Sequence, residues 1–207
     1  MMRTLILIMR LRSSSIKKIR CIWIDIETTG FNIFHDNIIE IAALDDDLTE
    51  FSHLISSEKR IPKKVMEITH ITNEMLIDKP PVTEILNKLI EFITNSPEKK
   101  VYLIGHNIYG FDIPFILAQC KKYNITFPTN IKVIDTMRMS QYILPREYSH
   151  SLGYLCRLFN VDNVNAHRAL SDVYATKIIY NNLCMIIRGK HPEAREKDIV
   201  KLTKFTV

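Results

Sequence analysis

The order of apolar runs is what most constrains this chain. Residues 21–26 alternate and are rich in Ile, which predicts a buried strand. Residues 37–44 and 51–55 predict two more, the latter after an acidic turn at 45–47. Connections this short do not carry the crossover that a parallel pair needs, so the three strands are expected as an antiparallel meander. Residues 63–77 are polar and mixed and predict short helical pieces. The pattern then changes. Ile85, Leu86, Leu89, Ile90 and Ile93 fall on one face of a helix over 82–93, with Pro80 and Pro81 at its start. A buried strand at 101–104, a helix at 113–123 and a short strand at 132–134 come next. Helices from Thr136, over 151–159 and over 169–187 complete the order. Three meander strands followed by β/α alternation imply an α/β fold, a mixed sheet with helices on its faces.

The chain has 207 residues, 46% of them hydrophobic, enough for one core and one domain. Its net charge of +5 sits in the ends. Residues 1–20 hold six basic residues and no acid, and residues 188–207 hold six basic residues and three acids. Of the 28 basic and 23 acidic residues, 16 and 20 therefore remain between them. A domain over 19–187 is expected, with a basic and apolar appendage at 1–18 and a basic tail at 188–207. Such ends attract a phosphate backbone or remain solvated. The mildly acidic middle is compatible with a nucleic-acid substrate if bound cations neutralise its carboxylates. The apolar run at 4–9 is too short to span a bilayer, so no membrane partner is expected. Cysteines at 21, 120, 156 and 184 lack C-x-x-C or zinc spacing. They read as buried reduced thiols of an intracellular protein, cytoplasmic or nuclear.

Three segments bring acids to the ends of predicted elements. Asp25-Ile26-Glu27-Thr28-Thr29-Gly30 closes the first strand. Residues i and i+2 of a strand share a face, so Asp25 and Glu27 present two carboxylates together. Acids at the end of an Ile-rich strand are costly unless a cation compensates them, and hard oxygens suit Mg²⁺ or Mn²⁺. His106-Asn107-Ile108-Tyr109-Gly110-Phe111-Asp112 follows a buried strand and opens a helix. His167-Arg168-Ala169-Leu170-Ser171-Asp172 opens the last helix. Singly, each motif is weak: an Asp-x-Glu pair usually lies on a solvated strand, and a lone His is more often a satisfied structural residue. Together they stand in order, each on a suitable element.

On these residues the chain resembles the DEDD exonucleases, in particular their DEDDh branch. The family's Asp-x-Glu motif with Thr-x-Gly matches Asp25, Glu27, Thr28 and Gly30. Its His-Asn and aromatic-Asp motif matches His106, Asn107, Phe111 and Asp112. Its His-x4-Asp motif matches His167 and Asp172, where the sister branch has Tyr-x3-Asp. Asp135-Thr136, Ser151-Leu152 with Leu155, and His70-Ile71-Thr72 with Pro80 extend the likeness over roughly 19–185. Three residues separate Asn107 from Phe111, and Asp112 is followed by Ile113-Pro114. Both features are closer to three-prime repair exonucleases than to bacterial proofreading subunits.

The resemblance implies an RNase H-like fold and a 3′→5′ exonuclease that releases nucleoside 5′-monophosphates with two Mg²⁺ or Mn²⁺ ions. It implies Asp25 as a ligand to both metals, Glu27 and Asp172 at the metal that carries the nucleophilic water, and Asp112 at the other. His167 would be the general base, as imidazole titrates near neutrality. The backbone of Thr28, Thr29 and Gly30, with Asn107, would meet the terminal nucleotide, and Ile26 or Phe31 would stack or wedge at its base. Gly30 would permit close approach and an unusual dihedral angle. The expected partners are nucleic-acid 3′ ends, DNA before RNA, and a polymerase docked by the residues after Met185. The alternatives are an RNA 3′-end-trimming enzyme and a non-cutting binding module. Asp45–Asp47 read as a solvated acidic turn, and His35, His53, His150 and His191 receive no chemistry.

Overall fold

The structure is a computed structural model that describes residues 19–96 and 100–190. Its strands are β1 (Ile19–Thr28), β2 (Ile38–Asp45), β3 (Glu50–Leu54), β4 (Lys100–Gly105) and β5 (Lys132–Asp135). Its α-helices are α1 (Lys63–Thr69), α2 (Val82–Thr94), α3 (Asp112–Lys122), α4 (Thr136–Ile143), α5 (Leu152–Phe159) and α6 (Ala169–Lys190). A 3₁₀ turn at Glu74–Leu76 follows α1. The sheet order is β3-β2-β1-β4-β5. β1–β2 and β2–β3 are antiparallel, and β1–β4 and β4–β5 are parallel. This is the mixed sheet that the element order predicts, in the RNase H-like arrangement that the resemblance implies.

The apolar pattern explains the layers. Ile22, Ile24 and Ile26 of β1 pack with Ile41 and Ala43 of β2 against Ile85, Leu86, Leu89 and Ile93 of α2 and Phe115 and Ile116 of α3. On the opposite face, Trp23, Ala42, Leu44, Tyr102 and Ile104 meet Ala169 and Val173 of α6. Farther along α6, Ile179 and Leu183 pack with Met139 and Ile143 of α4 and Leu155 of α5. Each fully buried Leu or Ile contributes roughly 1.5–3 kcal/mol. β1 is therefore central, with neighbours on both edges and helices on both faces.

The ends of β1 depart from the sequence reading in one respect. Arg20, counted with the basic end, is 3% exposed. Its Nη2 donates to Asp45 Oδ2 at 2.8 Å and its Nη1 to the carbonyl of Ile93 at 3.3 Å. Asp45 is correspondingly buried rather than solvated, and its Oδ1 accepts the N–H groups of Asp47 and Thr49 at 2.9 Å. The acidic turn after β2 is thus pinned to β1. Similarly, α6 runs three residues past the expected domain edge at 187. The appendage at 1–18, His191 and the rest of the tail lie outside the described residues, as does the docking role expected of that tail. No disulfide forms among the described residues, and Cys21 is half-buried where full burial was expected. No described helix is long and apolar enough to cross a membrane.

Removing one partner of a buried ion pair leaves an uncompensated charge. Asp45→Ala should destabilise the fold by about 3–5 kcal/mol, read as a lower denaturation midpoint in urea. A change under about 1 kcal/mol would show that Arg20 finds water instead.

Candidate active site

The site begins with the pleat of β1. The even-numbered residues Ile22, Ile24 and Ile26 enter the core beneath α2 and α3, which leaves Trp23, Asp25 and Glu27 on the α6 face. Glu27 stands where the β1–β2 register shifts by one residue, next to the last residue of the strand. Asp112 comes from the other side as the first residue of α3. It is 2% exposed, and its Oδ1 accepts the N–H of Ile26 at 3.1 Å, between the two β1 acids in sequence. Asp172 lies in the first turn of α6. Its Oδ1 accepts Asn163 Nδ2 at 2.5 Å and its Oδ2 accepts the N–H of His167 at 3.1 Å. His167 itself takes a left-handed backbone (φ 66°). One ligand atom each of Glu27, His167 and Asp172 lie within 4.8 Å of one another.

These acids share one field. Burial, with Asp112, Asp172 and Glu27 nearby, pushes Asp25 well above its ordinary 3.8. Burial pushes Glu27 from 4.5 to about 9, helped by Asp172, Glu40 and Asp112 and opposed by Arg168. Burial takes Asp112 to about 8, against the hydrogen bond from Ile26. Burial also raises Asp172, although the Asn163 and His167 donors work the other way. Among the described residues, no hydrogen bond is made to the Asp25 or Glu27 carboxylate. A donor set of four mutually repelling carboxylates with an imidazole beside them suits hard divalent cations. The residues present therefore fit the expected metals.

The flanking loops are stapled by other buried acids. Asp36 accepts the Thr29 hydroxyl at 3.0 Å and the N–H of Asn32 at 2.9 Å, and it pairs with Lys59. A Cβ on residue 30 would collide with the Asp36 carboxylate. Gly30 has no positive φ, so its glycine is there to make room for Asp36 and not for an unusual dihedral angle. The Thr28 hydroxyl donates to the carbonyl of Gly30 at 2.5 Å. Both threonine hydroxyls are thus spent inside the loop. Asp135 does the same work at the second motif. Its carboxylate accepts the N–H groups of Asn107 at 3.0 Å and Tyr109 at 3.4 Å, and it caps α4 through Met137 at 2.9 Å. Asn107 is left-handed (φ 59°), accepts the N–H of Gly110 at 2.9 Å, and its side chain lies against Gly110.

Some expectations change. Ile26 is 3% exposed and locked in the core, so it is no wedge, whereas Phe31 is 90% exposed and meets Phe111 edge-on. Phe34, not singled out from sequence, is 81% exposed in the same loop. His150 and Ser140 are hydrogen-bonded at 3.0 Å, and His53 packs edge-on against Phe51. His106 Nδ1 sits 3.0 Å from the Thr136 hydroxyl, and burial pushes its pKa down to about 4, which keeps it neutral. Glu40 was overlooked altogether. It is an acid within a fully buried strand, opposite Glu27 in register and paired with Arg168 at 2.8 Å. A charge inside an otherwise apolar run was the signal that could have found it.

The sequence model of the RNase_T exonuclease family matches residues 22–180. The chain belongs to this exonuclease family. It is similar to the PolC-type DNA polymerase III of Bacillus cereus, at 31% identity over 156 residues, 73% of this chain and 10% of that protein. The chain thus spans about a tenth of the length of that curated relative. Its fold matches Escherichia coli exonuclease I in complex with a dT13 oligonucleotide (TM-score 0.68, 18% identity), covering 84% of this chain and 42% of that one. It also matches the nuclease domain of 3′hExo, a DEDDh family member bound to rAMP (TM-score 0.68, 17% identity), covering 86% and 96%. At these identities the structural likeness is one of fold.

The acid cluster has a consequence for stability. Without divalent ions the folded protein holds protons on Glu27 and Asp112 up to about 9 and 8, whereas the unfolded chain releases them near 4.5 and 3.8. The native state binds more protons across that window, so stability should fall as pH rises through it. In chelator, the Tm should drop between about pH 5 and pH 9, and Asp112→Asn should flatten the slope. A Tm that rises steadily over this range would contradict the clustering.

Proposed function

We propose that this exonuclease-family protein is a metal-dependent 3′→5′ exonuclease that releases nucleoside 5′-monophosphates, with DNA as the favoured substrate. The observation that carries the reading is the shared field of Asp25, Glu27, Asp112 and Asp172, none of which forms an ion pair among the described residues. Asp25 would hold both ions, Glu27 and Asp172 one, and Asp112 the other. When bound, two divalent ions generate a hydroxide nucleophile at neutral pH and stabilise the leaving oxyanion. His167 takes the proton from the attacking water at an imidazole nitrogen, on the side of the site shared by Glu27 and Asp172. Asn163 and the His167 N–H hold the Asp172 carboxylate in place. The Ile26 N–H does the same for Asp112. At the rim, Phe31 offers an exposed ring for the terminal base. The Thr28–Gly30 backbone and Asn107 would meet the terminal nucleotide.

The spacing of the second motif and the DNA-polymerase relatives support DNA. RNA is the second reading, favoured by the likeness to a DEDDh nuclease domain bound to rAMP. A polymerase partner is consistent with the PolC-type relatives. A non-cutting role is disfavoured because each of the four carboxylates is present.

Asp172→Asn should abolish turnover while leaving the fold intact, and excess EDTA should do the same to the unmodified protein. Full activity in either case would sink the metal assignment. Matched 5′-labelled single-stranded DNA and RNA, each digested with Mg²⁺ and with Mn²⁺, separate the two substrates. Shortening from the 3′ end, faster on DNA, is the expected pattern.

A further inference from the structure

Glu40 lies in the middle of β2, where each residue is buried, and is itself 2% exposed. In register it stands directly opposite Glu27. Two acids facing each other across an antiparallel pair repel. Glu40 is spared by donors from a segment 128 residues away. Arg168 Nε lies 3.3 and 3.2 Å from its two oxygens, and Arg168 Nη2 donates to Oε1 at 2.8 Å. The N–H of Ala169, at the start of α6, donates to Oε2 at 3.0 Å. Both oxygens are thus committed to protein donors, which sets Glu40 apart from Asp25 and Glu27 as a metal ligand.

The residue before this clamp is His167. Its N–H is held by Asp172, and its backbone is left-handed. His167 is therefore fixed from both sides, by Asp172 through its own N–H and by β2 through the next two residues. We propose that the Glu40–Arg168 pair is a positioning device for His167, setting where the imidazole stands relative to Glu27 and Asp172. The inference rests on the reading of His167 as the proton acceptor. Arg168 has a second effect on the same face, since its charge opposes the rise in the Glu27 pKa. It places one cation beside the acid cluster while leaving the carboxylates there free of hydrogen bonds from it.

The test compares Arg168→Ala, Glu40→Gln and Arg168→Lys with the unmodified protein on a 5′-labelled oligonucleotide, each also in a His167→Ala background. Misplacing a reacting group by an ångström costs up to about a hundredfold in rate. Arg168→Ala and Glu40→Gln should each lower kcat by about tenfold to a hundredfold. KM and the Mn²⁺ concentration for half-maximal rate should change less than about threefold. Arg168→Lys, which keeps the charge but not the fork, should fall between them and the parent. In the His167→Ala background, Arg168→Ala should cost nothing further, because the group it positions is already gone. An equal loss in that background would reduce the pair to a fold staple and overturn the inference. Unchanged kcat in Arg168→Ala and Glu40→Gln, with His167→Ala inactive, would overturn the inference alone. Full activity of His167→Ala would overturn the role of His167 and the inference together.

Discussion

Four carboxylates that form no ion pair among the described residues converge at one end of β1, and the surrounding elements are arranged to tolerate that repulsion. Desolvation is the largest cost at each of them, and mutual repulsion adds to it at Asp25 and Glu27. A fold that ignored this would move the acids to solvent. This one instead places two of them on its central strand and brings the other two in on helix starts. β1 is hydrogen-bonded on both edges and packed on both faces, so Asp25 and Glu27 go where the pleat sends them. The energy to hold them comes from the apolar side chains of the same strand, Ile22, Trp23, Ile24 and Ile26.

The molecule uses buried acids in two ways, and the difference is the number of donors each one meets. Asp36, Asp45, Asp135 and Glu40 are satisfied by backbone N–H groups, lysine or arginine. They act as staples, each tying a loop or helix end to a distant element. Asp25 and Glu27 meet no such donors, and Asp112 and Asp172 meet too few to offset burial. Staples surround the unsatisfied group: Asp36 fixes the loop after β1, Asp135 the turn before α3, and Glu40 the entry to α6. The acid cluster is thereby framed by pinned loops and left short of donors at its centre, which suits a cation site.

Much of this was legible from residue order. Periodicity located the strands and helices because the core residues repeat at the spacing of the element they build. The pleat rule paired Asp25 with Glu27, and the placement of Asp112 and Asp172 at helix starts followed from where the apolar runs begin. The errors were of another kind. Arg20 and Asp45 read as ends and turns because charge normally seeks water, and each is buried with the other and with backbone groups as partners. Gly30 read as a dihedral requirement, whereas a carboxylate six residues on needs the space. Ile26 read as a wedge, although the alternation that exposes Asp25 and Glu27 must bury it.

The residue order by itself determined the element succession, the two-faced character of β1 and the set of acids available for chemistry, since these depend on local periodicity and side-chain type. Tertiary structure alone decided which acids remain unsatisfied. That depends on donors brought from far along the chain, such as Arg168 to Glu40 or Lys59 to Asp36, and a carboxylate carries no mark in its own neighbourhood of who will reach it. A buried charge becomes a staple or a metal site according to what the fold places within about 3 Å of it.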